Sequence, residues 1–121
     1  MNVELRKTYR FEAAHRLPHV PPDHKCFSMH GHSFAVEIGV RGPVDPRLGW
    51  LQDFGAITAI VEPLLKAELD HRTLNDVPGL ENPTSELLCV WLWRRLRPQL
   101  EHLDSITVHE TCTARCTYRG D

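Results

Sequence analysis

From Met1 to His15 the chain alternates, with Val3, Leu5, Tyr9, Phe11 and Ala13 at odd positions and Glu4, Arg6, Arg10 and Glu12 at even ones. A period of two belongs to a half-buried strand, so the pattern predicts β-structure over residues 2–15. Residues 16–29 read as a long loop, and alternation then returns over residues 30–42 with Phe34, Val36, Ile38 and Val40 at even positions. His15 continues the apolar face of the first strand, and His30 and His32 extend that of the second backwards. Hairpin-like pairing of the two would place three imidazoles side by side at the connecting loop.

Gly42, Pro43, Asp45 and Pro46 mark a turn, after which the period changes. Asp53 can cap a helix carrying Ile57, Ile60, Val61, Leu64 and Leu65 at helical spacing. Pro63 falls inside that run, where it costs about 3 kcal/mol, so a kink or break is expected. The turn-rich segment DHRTLNDVPGLEN follows. A second helix is predicted with Asn82 as its cap, Pro83 at its first position and Glu86 in its first turn. Leu88, Trp91, Leu92 and Leu96 form its buried stripe, ending before Pro98. Ser105 to Thr111 alternates again, and TARCTYRG predicts a last short strand. The order ββααββ implies an α+β fold: one domain over residues 1–121, a four-stranded antiparallel sheet and two helices on one face.

The opposite sheet face is polar, with Glu4, Arg6, Thr8, Arg10 and Glu12 beside Ser33, Glu37 and Arg41. Closure of several sheets into an oligomeric barrel with a polar interior accounts for this, and so does solvent exposure on a monomer.

Composition narrows the classes. The chain has 121 residues, of which 25% are charged and 41% hydrophobic, with a net charge of −2. Lys and Arg are not clustered as a nucleic-acid footprint requires. The charged, alternating N-terminus is not a signal peptide, and no apolar run approaches the roughly 20 residues of a membrane span. A soluble cytoplasmic protein without nucleic-acid or membrane partners is expected. Cys26, Cys89, Cys112 and Cys116 form no CxxC pair. Cys89 reads as a small core residue, and packing is the expectation for Cys112 and Cys116. Cys26 lies in a Pro-rich polar loop four residues before His30, with no packing reason to be there.

Three nitrogen ligands with an open fourth position is the pattern of a catalytic zinc. The competing reading is a set of packed, hydrogen-bonded core histidines; two at strand spacing with a third in phase shift the balance toward metal. Asp70 beside His71 can fix an imidazole tautomer for proton transfer, or simply form a polar helix end. Glu110 is in phase with the apolar Ile106 and Val108. A carboxylate there either marks the strand leaving the core or anchors adjacent N–H groups, such as a pterin or guanine ring offers. Thr84 and Ser85, at a helix start, could add contacts to such a ring.

The stretches FEAAHRLP, CFSMHGHSF, GWLQDF, LDHRTLND, PGLENPTSE and ETCTARCTYRG span nearly the whole chain. Together and in this order they resemble the 6-pyruvoyltetrahydropterin synthase family, most closely its bacterial queuosine-pathway branch. The resemblance implies that His15, His30 and His32 bind Zn2+, that Cys26 is the catalytic base, that Asp70 and His71 relay protons and that Glu110 holds the pterin. It implies the tunnelling fold, with trimers closing a twelve-stranded barrel, stacking into a homohexamer and forming sites at subunit interfaces. The implied reaction converts 7,8-dihydroneopterin triphosphate to 6-carboxytetrahydropterin, acetaldehyde and triphosphate; the alternative is triphosphate elimination without side-chain cleavage. A non-catalytic zinc-binding module is the reading from another class, and a redox-active thiol protein is a weaker one. Cys26 argues against the folate-pathway branch, where a nearby glutamate replaces it. One local departure is Phe27-Ser28-Met29, where related enzymes carry a more basic, Gly-containing spacer.

Overall fold

The computed structural model describes residues 1–121. Its elements are β1 (Asn2–His15), β2 (His30–Pro43), α1 (Phe54–Glu68), β3 (Arg72–Thr73), α2 (Ser85–Leu96), β4 (Leu103–His109) and β5 (Arg115–Tyr118). β1 and β2 pair antiparallel along their whole length, from Asn2 opposite Pro43 to His15 opposite His30. The two alternations are matched in this register. With Phe11 opposite Phe34 and Tyr9 opposite Val36, both apolar sets share one face, and a slip of one residue would turn one set outward. The Phe11 and Phe34 rings stack at 5.1 Å. β4 continues the sheet against β2, and β5 against β4, both antiparallel.

The helices cover the apolar face. Ile57, Val61 and Leu65 of α1 and Leu88, Cys89, Leu92 and Leu96 of α2 join Phe34, Val36, Ile38, Ile106 and Val108 in a single buried core. Cys89 packs there as expected: its thiol donates to the Ile106 and Cys116 carbonyls, and burial pushes it up to about 12. No helix is long and apolar enough to cross a membrane.

Four expectations need correction. The sheet has five strands in the order β3-β1-β2-β4-β5, and β3 runs parallel to Ala13–Ala14, so the sheet is mixed rather than purely antiparallel. Two residues carry no period; β3 exists because the turn after α1 brings the chain back against β1. α1 runs through Pro63 unbroken. Pro63 lies on the exposed side, so the buried stripe continues beneath it. α2 is capped by Thr84 rather than Asn82, with the Thr84 hydroxyl accepting from the Leu87 N–H at 3.2 Å, so Pro83 lies outside the helix. Cys112 is exposed instead of packed, because β4 ends at His109 and Cys112 falls in the turn before β5.

Candidate functional site

His15 and His30 face each other as the last cross-strand pair of β1 and β2, and His32 lies opposite Ala13, one step along the same face. The ring centroids are 4.7 Å apart for His15 and His30, 5.2 Å for His15 and His32, and 4.8 Å for His30 and His32. One nitrogen from each ring lies within 4.8 Å of the other two. Backbone carbonyls orient two of the rings. His15 Nδ1 contacts Pro83 O at 2.9 Å, and His30 Nδ1 contacts Ser28 O at 2.7 Å. A carbonyl only accepts, so each Nδ1 carries the hydrogen and each Nε2 keeps its lone pair. Carbonyl-fixed tautomers of this kind are how metal-binding imidazoles are aimed.

His15 is completely buried, and its Nε2 has no hydrogen-bonded partner. Burying an acceptor without a donor costs about 1–3 kcal/mol. A packed core histidine would satisfy both nitrogens, whereas a cation among the three rings would satisfy this one. The donor set fits a borderline-soft divalent ion such as zinc.

Glu110 stands just beyond the end of β4, on the apolar side that Ile106 and Val108 define. Its Oε1 lies 3.1 Å from His15 Nε2, without an aligned hydrogen bond, and 3.7 Å from His32 Nε2. The His15 imidazole, and next the charges of His32 and His30, hold the Glu110 carboxyl below its ordinary range against the opposing effect of burial. His32 is pushed down, first by burial and then by the neighbouring imidazoles, with Glu110 opposing. At His32 burial therefore favours the neutral, ligating ring, and Glu110 stands beside it as a carboxylate.

Asp70 and His71 follow α1. Asp70 Oδ2 lies 3.0 Å from His71 Nδ1, and Asp70 Oδ1 accepts the Glu12 N–H at 2.9 Å. That backbone N–H, and after it His71, holds the Asp70 carboxyl below its usual value. The His71 N–H donates in return to the Glu12 carbonyl at 2.6 Å. Glu12 thus docks the pair onto β1, a role the alternation did not reveal because it uses backbone atoms. An open groove of about 540 Å³ lies beside this junction, lined in part by Glu12, His32, Ser33 and His71. The structure thereby brings His71 and one member of the histidine cluster, His32, to one groove.

Cys26 sits half-buried in a one-turn 3-10 helix, Lys25–Phe27, and does not line that groove. His24 Nδ1 accepts the Cys26 N–H at 3.0 Å, and the Cys26 carbonyl accepts the Leu17 N–H at 2.8 Å, folding the loop onto the end of β1. Thr84 and Ser85 stand at the start of α2, next to Pro83, with the Thr84 hydroxyl engaged in capping. The carbonyls of Pro83 and Ser28 escaped sequence reasoning. The only signal for Pro83 was its place beside a helix start, since any residue type supplies a carbonyl.

The family profile described as 6-pyruvoyl tetrahydropterin synthase matches residues 4–121. A 6-carboxy-5,6,7,8-tetrahydropterin synthase of Synechocystis sp. is 40% identical over 119 residues, covering 94% of this chain and 91% of that protein. A 6-pyruvoyl tetrahydrobiopterin synthase of Drosophila melanogaster is 36% identical over 133 residues, covering 96% of this chain and 79% of that protein. The structure of the Caenorhabditis elegans 6-pyruvoyl tetrahydropterin synthase superposes with a TM-score of 0.89 at 28% identity, covering 100% of this chain and 97% of that one. The sheet with two helices on one face is the tunnelling fold expected from the sequence motifs. With the profile running from Glu4 to Asp121 and a relative this similar over nearly the full length, the chain belongs to the 6-pyruvoyl tetrahydropterin synthase family.

Proposed function

We propose that the chain is a zinc-dependent lyase that converts 7,8-dihydroneopterin triphosphate to 6-carboxytetrahydropterin, acetaldehyde and triphosphate, in the route to queuosine. The observation that carries this reading is the convergent trio His15, His30 and His32 with the buried, partnerless His15 Nε2. The name of the Synechocystis relative favours the carboxylated product over the pyruvoyl one.

His15, His30 and His32 would hold a Zn2+ that, when bound, supplies Lewis-acid polarisation of the substrate's side-chain hydroxyls. Cys26, as a thiolate, takes the proton from the adjacent carbon. His71 carries protons on its Nε2, because Asp70 occupies the Nδ1 side, and with 78% of its side chain exposed it can reach a substrate. Glu110, held anionic, accepts a pair of N–H groups from the pterin ring. Thr84 and Ser85 frame the same end of the sheet. The dihydropterin ring takes up the reducing equivalents, so no external redox cofactor is required.

The polar faces of β1 and β2 support closure into trimers that stack as a homohexamer. Within one chain Cys26 does not line the groove shared by His32 and His71, and a site built from neighbouring copies unites them. Four free thiols suit a reducing cytoplasm.

A second reading has an observation of its own. Glu110 Oε1 lies beside two of the three histidine nitrogens, and as a fourth ligand it would close the site into a structural zinc module. Purified protein incubated with dihydroneopterin triphosphate separates these. The lyase releases acetaldehyde and a product with the mass of 6-carboxytetrahydropterin. A product that retains its three-carbon side chain identifies the pyruvoyl-forming activity instead. Glu110→Ala in the lyase keeps its zinc and raises KM by at least about tenfold, as loss of a charged anchor worth about 1.5–3 kcal/mol requires. Loss of zinc from that variant, with no turnover in the parent protein, establishes the closed module.

A further inference from the structure

We propose that Asn75 is a positioning residue that clamps together the three segments on which the histidine cluster depends. Its side-chain amide is engaged on both sides. Oδ1 accepts the Arg16 N–H at 3.0 Å, Nδ2 donates to the Arg16 carbonyl at 2.8 Å, and Nδ2 also reaches the Glu81 carbonyl at 3.4 Å. Only one orientation of the amide satisfies these partners, since two are carbonyls and one is an N–H.

The location of those partners gives the clamp its meaning. Arg16 directly follows His15, so pinning both of its backbone groups fixes the end of β1 from which the buried ring projects. Glu81 lies two residues before Pro83, whose carbonyl orients that ring through Nδ1. On its other side Arg16 adjoins Leu17, whose N–H donates to the Cys26 carbonyl, and the Arg16 Nε donates to the Phe27 carbonyl at 3.2 Å. One amide, carried on the 3-10 turn Leu74–Asp76 with Leu74 fully buried beneath it, therefore joins the His15 strand end directly to the segment bearing Pro83, and through Arg16 and Leu17 it also steadies the Cys26 turn. No hydrophobic pattern supplies this; the segments meet 59 and 6 residues away from Asn75 in the chain.

The inference rests on the proposed metal site, and Co2+ as a spectroscopic probe distinguishes the two. Metal-free protein is titrated with Co2+ in competition with a chelator, and the visible bands are recorded for the parent, Asn75→Ala, Asn75→Asp and Val77→Ala. Asn75→Asp keeps the shape and the acceptor but sets a carboxylate oxygen against two carbonyls. Val77→Ala thins the buried packing of the same neighbourhood without touching the clamp. The parent and Val77→Ala are expected to bind one Co2+ with matching bands, while both Asn75 variants bind about tenfold more weakly with shifted bands, the scale of an outer-shell defect. Parent-like affinity and bands in the Asn75 variants overturn the clamp and leave the metal site standing. Equal weakening in Val77→Ala overturns it as well, because general loosening then suffices. A parent protein that takes up no Co2+ overturns both. If Asn75→Ala does not fold, the isosteric Asn75→Asp decides alone.

Discussion

At His71 the backbone adopts φ +59°, a left-handed conformation that costs a residue with a side chain roughly 1–2 kcal/mol. The hydrogen bonds on either side hold it there, from His71 to the Glu12 carbonyl and from Arg72 to the Leu69 carbonyl. Strain retained at a residue that also aligns with a carboxylate points to a selected side chain rather than a convenient turn. His71→Gly removes the imidazole and relieves the strain, whereas His71→Ala removes the imidazole and keeps it. The glycine variant is therefore expected to be more stable than the alanine variant by about 1 kcal/mol, read from denaturant midpoints. The exposed pair with Asp70 adds little to either figure, because solvent screens it. Both variants should lose at least about a hundredfold in turnover, the usual worth of a positioned acid–base group. Retained turnover in either would remove His71 from the proton relay.

α1 shows where local propensity yields to packing. Pro63 lacks the N–H that a helix interior uses, yet the helix continues because Ile57, Val61 and Leu65 stay buried along its other side. Pro63 itself is exposed, so Pro63→Ala opens no cavity. The variant regains a backbone hydrogen bond and loses the ring's clash with the preceding turn, together worth about 3 kcal/mol, and gives up about 0.4–1 kcal/mol of unfolded-state restriction. A net gain of about 2 kcal/mol in the unfolding free energy is expected. A loss would mean that the ring packs against something the helix needs. The same element scale explains what could be read from sequence. The long alternations of β1 and β2 set which face the two strands share, and so put His15, His30 and His32 on one side, because a one-residue slip would turn one apolar set outward. β3 was hidden, as two residues have no period, and so was the Thr84 cap, since Asn82, Thr84 and Ser85 are all able caps and tertiary contacts choose between them. The carbonyls that aim His15 and His30 belong to Pro83 and Ser28, and backbone atoms leave no mark in a side-chain pattern.

At the scale of the whole molecule the polar sheet face is the feature a single chain leaves open. Arg6 bridges Glu4 and Glu37, and Glu12 accepts from Ser33, so this face is ordered by its own charges and hydrogen bonds rather than covered by another layer. Its edges are β3 and β5, two and four residues long, which leaves unpaired backbone on β1 and β4 for strands of another copy. If closure of that kind builds each site from two copies, Cys26 of one chain works with His71 of a neighbour. Cys26→Ala and His71→Ala are each expected to be inactive alone, the first with about one zinc still bound per chain, as the proposed metal site uses only histidines. Mixed and allowed to exchange subunits, they should recover about a quarter of parental activity, because a site is whole only when one chain supplies an intact Cys26 and its neighbour an intact His71, each with even odds. Sites confined to single chains recover nothing at any mixing ratio, since every chain then carries one defect. Recovery that rises and falls symmetrically with the proportion of the two variants, and vanishes when subunit exchange is blocked by cross-linking, places the chemistry between copies.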